Sequence, residues 1–251
     1  MVLSHRGSMP VAVVTGASRT KGIGAAICRA LAAQGNAILF THWRRYDQEQ
    51  NLLDDEGPAR LLTTLRRMGA QARDLEINLA DPDAYRAVLD AAEALGLLKI
   101  LVNNAAYSTR DGYRGLTADV LDAHYAVNLR GAALLSVEFA RRYGGEPGGR
   151  MINITSGQSK GPMQDELAYA ATKGAIEALT VTLAAELAPL GITVNAVNPG
   201  PTDTGWMSED VKAAVLANSG LGRLGTPEDA ARLVAFLAGE EGGWITGQIL
   251  H

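Results

Sequence analysis

The chain has 251 residues, 47% of them hydrophobic, and a formal net charge of −4, which suits one α/β domain with a large core. Its arginines are scattered rather than gathered in a basic stripe, which argues against nucleic-acid binding. No apolar run approaches the roughly 18 residues of a membrane span. Cys28 is the only cysteine and falls in a predicted helix, so we expect a small core residue, no disulfide, and a reducing, cytoplasmic setting. We predict no metal site.

Short apolar or β-branched runs alternate with helical stretches along the chain. The predicted strands are Val11 to Thr15, Ala37 to Thr41, Gln71 to Ile77, Ile100 to Asn103, Met151 to Thr155, Thr193 to Val197 and Gln248 to Leu250. This alternation predicts a doubly wound, parallel seven-stranded sheet with helices on both faces, in one domain over residues 9–251. Residues 1–8 lack an apolar signal core, and we interpret them as a short tail or cloning remnant.

A glycine-rich turn, Gly16-Ala-Ser-Arg-Thr-Lys-Gly22-Ile-Gly24, joins the first predicted strand to a helical pattern over 25–34. Glycine allows close backbone approach to a ligand, and a helix N-terminus offers free N–H groups to a pyrophosphate. The order of strand, turn and helix therefore favours a dinucleotide site. A glycine cluster alone would indicate only a tight turn.

A second motif follows the fifth predicted strand. Ser156 stands thirteen residues before Tyr169, and Lys173 stands four residues after it. In a helix over 167–187, the spacing of four puts the phenol and the ammonium on one face. A cation within roughly 4–6 Å typically lowers the pKa of an acid by about 1–3 units, which makes Tyr169 a candidate acid and base. Ser156 would lie at a strand's carboxyl end, where open α/β sheets bind ligands.

Four further motifs occur in an order that makes the chain resemble the short-chain dehydrogenase/reductase family over nearly its whole length. They are Asn103-Asn104-Ala105-Ala106, Asn128, the loop from Asn198 through Pro199, Gly200, Pro201, Thr202 and Asp203 to Thr204, and the C-terminal stretches Gly222–Asp229 and Trp244–Gln248. The resemblance implies a Rossmann-type oxidoreductase, most similar to the 3-oxoacyl-acyl-carrier-protein reductase branch. It also implies a homotetramer formed through the helices of Asn128 and Tyr169 and the last strand, although that strand is short or its end is missing after His251.

The resemblance also assigns the chemistry, which is hydride transfer between a nicotinamide nucleotide and a carbonyl or alcohol. Ser156 would hold the substrate oxygen, and Tyr169 would transfer the proton. Lys173 would lower the pKa of the phenol and bind the nicotinamide ribose, while Asn128 would hold a water that relays protons. The predicted nucleotide-binding residues are Gly16, Ser18, Arg19, Gly22, Ile23, Gly24, Arg44, Arg45, Asn78, Leu79, Asn104, Ala105, Tyr169, Lys173, Pro199, Gly200, Thr202 and Thr204.

Three departures from the family pattern affect how these roles are assigned to the residues of this chain. Five residues separate Gly16 from Gly22 where the family has three, so the phosphate loop is longer. Ala106 adds a methyl group where the family usually has glycine. Asn78 stands where the family often has aspartate, although its carbonyl oxygen can still accept a hydrogen bond from an adenine amino group.

The nucleotide type is predicted from the end of the second strand. An acidic residue there would bind a ribose 2′-hydroxyl, but His42-Trp-Arg44-Arg45 follows instead. With Arg19 in the glycine turn, Arg44 and Arg45 could hold a 2′-phosphate bidentately, which favours NADP(H) over NAD(H). The alternative is that both arginines only solvate a loop.

The sequence gives less specific indications for two segments and three further side chains. The acidic stretch 47–58 is interpreted as a solvated excursion, and 201–224 as a lid over the substrate. Arg110, Arg114 and Gln158 could face the substrate or lie on the surface. Three other functions stay open: an NAD(H)-dependent alcohol or sugar dehydrogenase, an epimerase or dehydratase, and a catalytically silent NADP-binding regulatory protein. Epimerases of this type are usually longer chains, and the Ser156, Tyr169 and Lys173 set argues against a silent protein.

Overall fold

The computed structural model describes residues 9–52, 54, 56–144 and 147–251. The interpretation of residues 1–8 as a tail falls outside this range. Seven strands form one parallel sheet: β1 Pro10–Val14, β2 Ala37–His42, β3 Ala72–Glu76, β4 Leu97–Asn103, β5 Gly149–Ile154, β6 Ile192–Val197 and β7 Ile249–Leu250. All seven predicted strands are confirmed, with small shifts at their ends.

The strand order is β3-β2-β1-β4-β5-β6-β7. The chain therefore builds outward from β1 in one direction and, after β3, returns to continue from β4 in the other. Loops leaving the carboxyl ends of β1 and β4 diverge at this switch point and open a crevice for a ligand. The last strand is short: Ile249 and Leu250 pair with Ala196 and Val197 of β6.

Ten α-helices lie between the strands of the described chain. They are α1 Ile23–Ala33, α2 Arg44–Glu49, α3 Gly57–Arg67, α4 Ala84–Glu93, α5 Gly112–Gly115, α6 Ala118–His124, α7 Ala132–Arg142, α8 Leu167–Leu187, α9 Glu209–Ala217 and α10 Pro227–Ala238. A π-helical turn, Tyr125–Gly131, joins α6 to α7 without a break. We call it the π turn.

Two hydrophobic cores cover the two faces of the sheet, because successive strand side chains point to opposite sides. Ala12 and Val14 of β1 pack in one core with α1, α3 and α10. Val11 and Val13 pack in the other with α4, α7 and α8. Strands buried on both faces explain the nearly continuous apolar runs that made the sheet predictable. The doubly wound α/β prediction is confirmed.

The acidic segment 47–58 is solvated only in part: Gln48, Glu49, Asn51 and Glu56 are exposed, whereas Asp47, Gly57 and Pro58 are buried. The backbone N–H and hydroxyl of Thr20, in the lengthened glycine turn, donate to Asp54 Oδ2 at 3.2 and 2.9 Å. Gly57 lies so close to the turn that a Cβ there would come within 2.3 Å of the Ser18 carbonyl oxygen. The lengthened glycine turn and this segment therefore pack together. Leu53 and Asp55 lie outside the described residues.

Candidate active site

A cavity of about 750 Å³ lies over the carboxyl ends of the central strands, a size usual for small-molecule sites. All but two of the predicted site residues line it. Those lining it are Gly16, Ser18, Arg19, Gly22, Ile23, Gly24, Arg45, Asn78, Leu79, Asn104, Ala105, Ser156, Tyr169, Lys173, Pro199, Gly200, Thr202 and Thr204. Asn128 and Arg44 do not, because Asn128 points into the supporting structure and Arg44 begins α2 outside the cavity lining.

The glycine turn is held against the loop after β4. Asn104 Nδ2 donates to the carbonyl oxygens of Thr15 and Gly16 at 2.8 and 2.9 Å. The turn is so close that a Cβ on Gly16, which has φ +73°, would lie 2.6 Å from the Cα of Ala105. A Cβ on Gly24 would lie 2.7 Å from Asn104 Nδ2. Neither position has room for a side chain, because Gly16 meets the backbone of the neighbouring loop and Gly24 meets the Asn104 side chain and the Gly16 carbonyl oxygen.

Helix α1 begins at this turn and directs its N-terminus at the cavity. Gly22 is its N-cap and supplies no side-chain cap, while Ile23 and Gly24 line the cavity. Backbone N–H groups in the first turn of a helix have no partner within the helix, and the helix dipole is positive there. This end of the cavity suits a pyrophosphate.

Ser156 follows β5, and Tyr169 and Lys173 lie on α8. The Nζ of Lys173 lies 5.5 Å from the centre of the Tyr169 ring and donates to the Ile154 carbonyl oxygen at 2.7 Å. The start of α8 is fixed by Asp111, whose carboxylate accepts from the backbone N–H groups of residues 167 and 168 at 2.8 and 2.9 Å. An acidic side chain at a helix N-terminus is stabilising, so Asp111 secures the helix that carries both groups.

The pKa values of the pair differ from the sequence-based expectation. Burial raises the pKa of Tyr169 to about 12, although the Ser156 hydroxyl opposes the rise. Burial lowers the pKa of Lys173 to about 8. The structure therefore does not show the expected lowering of the phenol pKa: desolvation of Tyr169 raises it, and burial of Lys173 disfavours the charged ammonium. At neutral pH Tyr169 is a protonated phenol, and so a proton donor.

Asn128 supports the site from behind. It lies in the π turn and is 2% exposed. Its Oδ1 accepts from the N–H of Tyr107 at 2.7 Å, and its Nδ2 donates to the carbonyl oxygen of Tyr107 at 2.8 Å and to Thr172 Oγ1 at 3.1 Å. Asn128 therefore ties the loop after β4 to α8. Both of its amide hydrogens are used in this way, so they do not hold the predicted water.

The part of the cavity next to β2, which we call the β2 end, is lined by Ser18, Arg19, His42, Arg45 and Asp47. Asp47 is 5% exposed; its carboxylate accepts from the Ser18 hydroxyl and lies 3.6 Å from Arg19 Nε. Arg45 Nε donates to Glu49 Oε1 at 2.8 Å, and His42 Nε2 lies 3.1 Å from Asp74 Oδ2. Burial raises the pKa of the Asp47 carboxyl.

The opposite wall is the loop that enters segment 201–224. Thr202 Oγ1 donates to the Pro199 carbonyl oxygen at 3.0 Å, and Trp206 Nε1 donates to the Thr202 carbonyl oxygen at 3.1 Å. Arg19 Nη1 reaches across the cavity to the Thr204 carbonyl oxygen at 3.2 Å. The glycine turn and the start of the segment are thus directly connected.

The structure places Arg110, Arg114 and Gln158 in three different surroundings. Arg110 lines the cavity, whereas Arg114 is exposed on α5 and stacks over Tyr113. Gln158 Nε2 donates to Glu177 Oε1 at 2.6 Å. Glu177 also accepts from Thr155 Oγ1 at 3.0 Å and from Ser159 Oγ at 3.2 Å, so it holds both sides of Ser156. Gln158 and Arg114 do not line the cavity.

Sequence reasoning missed several residues of the site. Asp47, Tyr46 and Glu166 line the cavity, and Glu177 fixes the Ser156 loop. Glu177 follows Lys173 by one helical turn, which indicates the same face of α8 and could have identified it. Asp47 carried no such signal, because its burial depends on the distant glycine turn. Within the described residues, no cluster of three or more metal-binding side chains occurs, and no helix is both long and apolar enough to span a membrane.

A family model and known proteins match this chain over nearly its whole length. The family model described as Enoyl-(Acyl carrier protein) reductase matches residues 16–251. The uncharacterized oxidoreductase YjdA of Bacillus subtilis (strain 168) is 50% identical over 244 residues, covering 96% of this chain and 94% of that protein. The 3-oxoacyl-acyl-carrier-protein reductase FabG of Escherichia coli (strain K12) is 34% identical over 245 residues, covering 96% and 94%.

A solved structure gives the same result. A short-chain dehydrogenase from Burkholderia cenocepacia J2315, in complex with NADP, superimposes with a TM-score of 0.85 at 36% identity, covering 95% of this chain and 94% of that one. Identity above 30% over nearly complete chains, with the same fold and the ordered motifs described above, shows common ancestry. The chain belongs to the short-chain dehydrogenase/reductase family and is an oxidoreductase of that family.

Proposed function

We propose that the protein reduces a carbonyl, a 3-oxoacyl thioester or a similar ketone, to a secondary alcohol with NADPH. The observation that carries the proposal is the convergence of Ser156, Tyr169 and Lys173 on one wall of the cavity that the glycine turn closes at its other end. The family membership supports the reaction class, and the relative named FabG supports the 3-oxoacyl substrate.

The described residues fit a nicotinamide dinucleotide. The uncapped N-terminus of α1 suits the pyrophosphate, and Gly22 and Gly24 at this helix end line the cavity. Asn78 lies at the cavity wall beyond β3 and would accept from the adenine amino group. Lys173 would bind the nicotinamide ribose. When bound, the reduced nucleotide supplies the hydride.

The residues of the chain then control the oxygen and the proton. The Ser156 hydroxyl would donate to the carbonyl oxygen and orient it. Tyr169, whose pKa is raised to about 12, stays protonated at neutral pH and would transfer its proton to the oxygen as negative charge develops there. The Lys173 ammonium would stabilise the phenolate that remains, and a water near the π turn that contains Asn128 would return the proton from solvent.

NADPH is preferred in this proposal because two guanidinium groups, those of Arg19 and Arg45, line the β2 end. No carboxylate directly follows β2, where Trp43 and Arg44 stand. The NADP complex of a relative is consistent with this preference. A double Arg19→Ala and Arg45→Ala variant is expected to lose affinity for NADPH and keep affinity for NADH, measured by fluorescence titration.

The experiment that tests the function is oxidation of NADPH, followed at 340 nm, against a panel of 3-oxoacyl thioesters, simple ketones and keto sugars. Tyr169→Phe is expected to lower turnover by about 10²–10⁴-fold, the usual value of general acid catalysis, with nucleotide binding retained. Tyr113→Phe is the matched control, because Tyr113 is 78% exposed and lies outside the cavity lining. Nucleotide binding without turnover on any substrate would favour a silent NADP-binding protein instead, and turnover with NADH alone would favour a dehydrogenase of the NAD(H) type.

The family resemblance further supports a homotetramer, a mobile lid and a cytoplasmic setting as proposals. Exposed apolar side chains on α6, α8 and the π turn offer an assembly surface: Leu121, Tyr125, Leu167 and Val181. Segment 201–224 would act as the lid, with Trp206 at the cavity. The single buried thiol of Cys28 is compatible with a reducing compartment. Light scattering coupled to size exclusion would measure the assembly.

A further inference from the structure

At the β2 end of the cavity, the groups expected to bind a 2′-phosphate already face carboxylates of this chain. Among the described residues that line it, each basic side chain faces a carboxylate of this chain. Arg19 lies 3.6 Å from Asp47, Arg45 lies 2.8 Å from Glu49, and His42 lies 3.1 Å from Asp74. A phosphate arriving at this end would therefore compete with carboxylates already present.

The three acids differ in how firmly they are held. The side chains of Glu49 and Asp74 are 50% and 35% exposed, so solvent weakens their attraction and lets them move aside. The Asp47 side chain is only 7% exposed, and the segment that carries it is fixed to the glycine turn through Asp54 and Thr20. Asp47 is thus the one acid of the three that cannot turn into solvent.

Asp47 also engages two phosphate-binding candidates at once. It accepts from the Ser18 hydroxyl and attracts the Arg19 guanidinium, and both residues line the cavity. A hydroxyl and a guanidinium beside one carboxylate are the kinds of donor that a phosphate would use. The 2′-hydroxyl of NADH carries no such charge and has no need to displace Asp47.

We propose that Asp47 sets the nucleotide preference of this protein by competing with the 2′-phosphate for Ser18 and Arg19. This inference rests on the proposed function. Its consequence is that the chain binds NADPH less tightly than its arginines alone would allow and accepts NADH as a second reductant. Asp47 follows β2 by five residues on α2, so it differs from an acid at the strand end, which would exclude the phosphate directly.

The test is the dissociation constant of each nucleotide, NADPH and NADH, from nucleotide fluorescence with the full chain. Asp47→Asn keeps the shape and removes the charge, and it is expected to tighten NADPH by about fivefold or more while NADH changes by less than about twofold. Glu56→Gln removes one charge from the same segment at an exposed site, 75% accessible, and is expected to leave the ratio unchanged.

Arg19→Ala in two backgrounds distinguishes competition by Asp47 for Arg19 from simple positioning of Arg19 by Asp47. If Asp47 competes for Arg19, then Arg19→Ala costs more NADPH affinity in the Asp47→Asn background than in the unaltered chain. An unchanged ratio in Asp47→Asn, or weaker NADPH binding there, overturns the inference, since Asp47 would then only position Arg19. Failure of the unaltered chain to bind either nucleotide would instead overturn the proposed function itself.

Discussion

Replacing Asn128 by alanine should lower the stability of the fold, because Asn128 is a buried hydrogen-bonding support of the active site. The change removes three hydrogen bonds, two to the backbone of Tyr107 and one to Thr172 Oγ1, at a side chain that is 2% exposed. Leaving a buried polar group unpaired costs about 1–3 kcal/mol. With two Tyr107 groups left without this partner, we expect the free energy of unfolding to fall by about 2–5 kcal/mol.

The loss is measured by urea unfolding followed by circular dichroism, with the slope of the transition checked against the unaltered chain. For a domain of this size it corresponds to a fall in Tm of about 2–4 °C for each kcal/mol. Asn218→Ala is the matched control: Asn218 is exposed and donates to one helix carbonyl, so its effect should stay within about 0.5 kcal/mol. An Asn128→Ala variant as stable as this control would refute the reasoning.

Three further changes test other parts of the site. Gly16→Ala forces a side chain onto φ +73° and against Ala105, and should lower the free energy of unfolding by at least about 1–2 kcal/mol; an unchanged urea midpoint would contradict this. The pKa of Lys173 is lowered to about 8, so its ammonium is lost as the pH rises through that value. The kcat/KM for the nucleotide should therefore fall above about pH 8 in the unaltered chain and stay level in Lys173→Arg. Glu177→Gln should loosen the loop of Ser156 and lower kcat about tenfold with KM for the nucleotide unchanged; the exposed Glu186→Gln is its control, and equal kinetics of both variants would argue against a positioning role.

Much of the fold was predictable because its signals are local. The apolar run from Val11 to Val14 is continuous since parallel strands are buried on both faces, and this made the strand identifiable without its partners. The glycines at 16, 22 and 24 mark a turn that few other residues could form. Tyr169 and Lys173 share a helix face by spacing alone, which the structure confirms.

The residues that were missed or misjudged depend on contacts between distant segments. No pattern in the sequence around Asp47 indicated that its side chain is buried. Its partner Arg19, in the glycine turn, lies 28 residues earlier in the chain. The partner of Asn128 is the backbone of Tyr107, which any sequence would supply. Only the packing of these segments showed that Asn128 supports a loop.

The sequence by itself determined the seven strands, the helices between them, and the spacing of Ser156, Tyr169 and Lys173. Tertiary structure decided the charges. The pKa of Tyr169 rises because burial in the folded cavity disfavours its anion. The contact between Arg19 and Asp47 at the β2 end likewise forms only when α2 folds onto the glycine turn. Spacing along a chain specifies which groups can meet, but solvent exclusion and distant partners determine their charge, and these exist only in the folded protein.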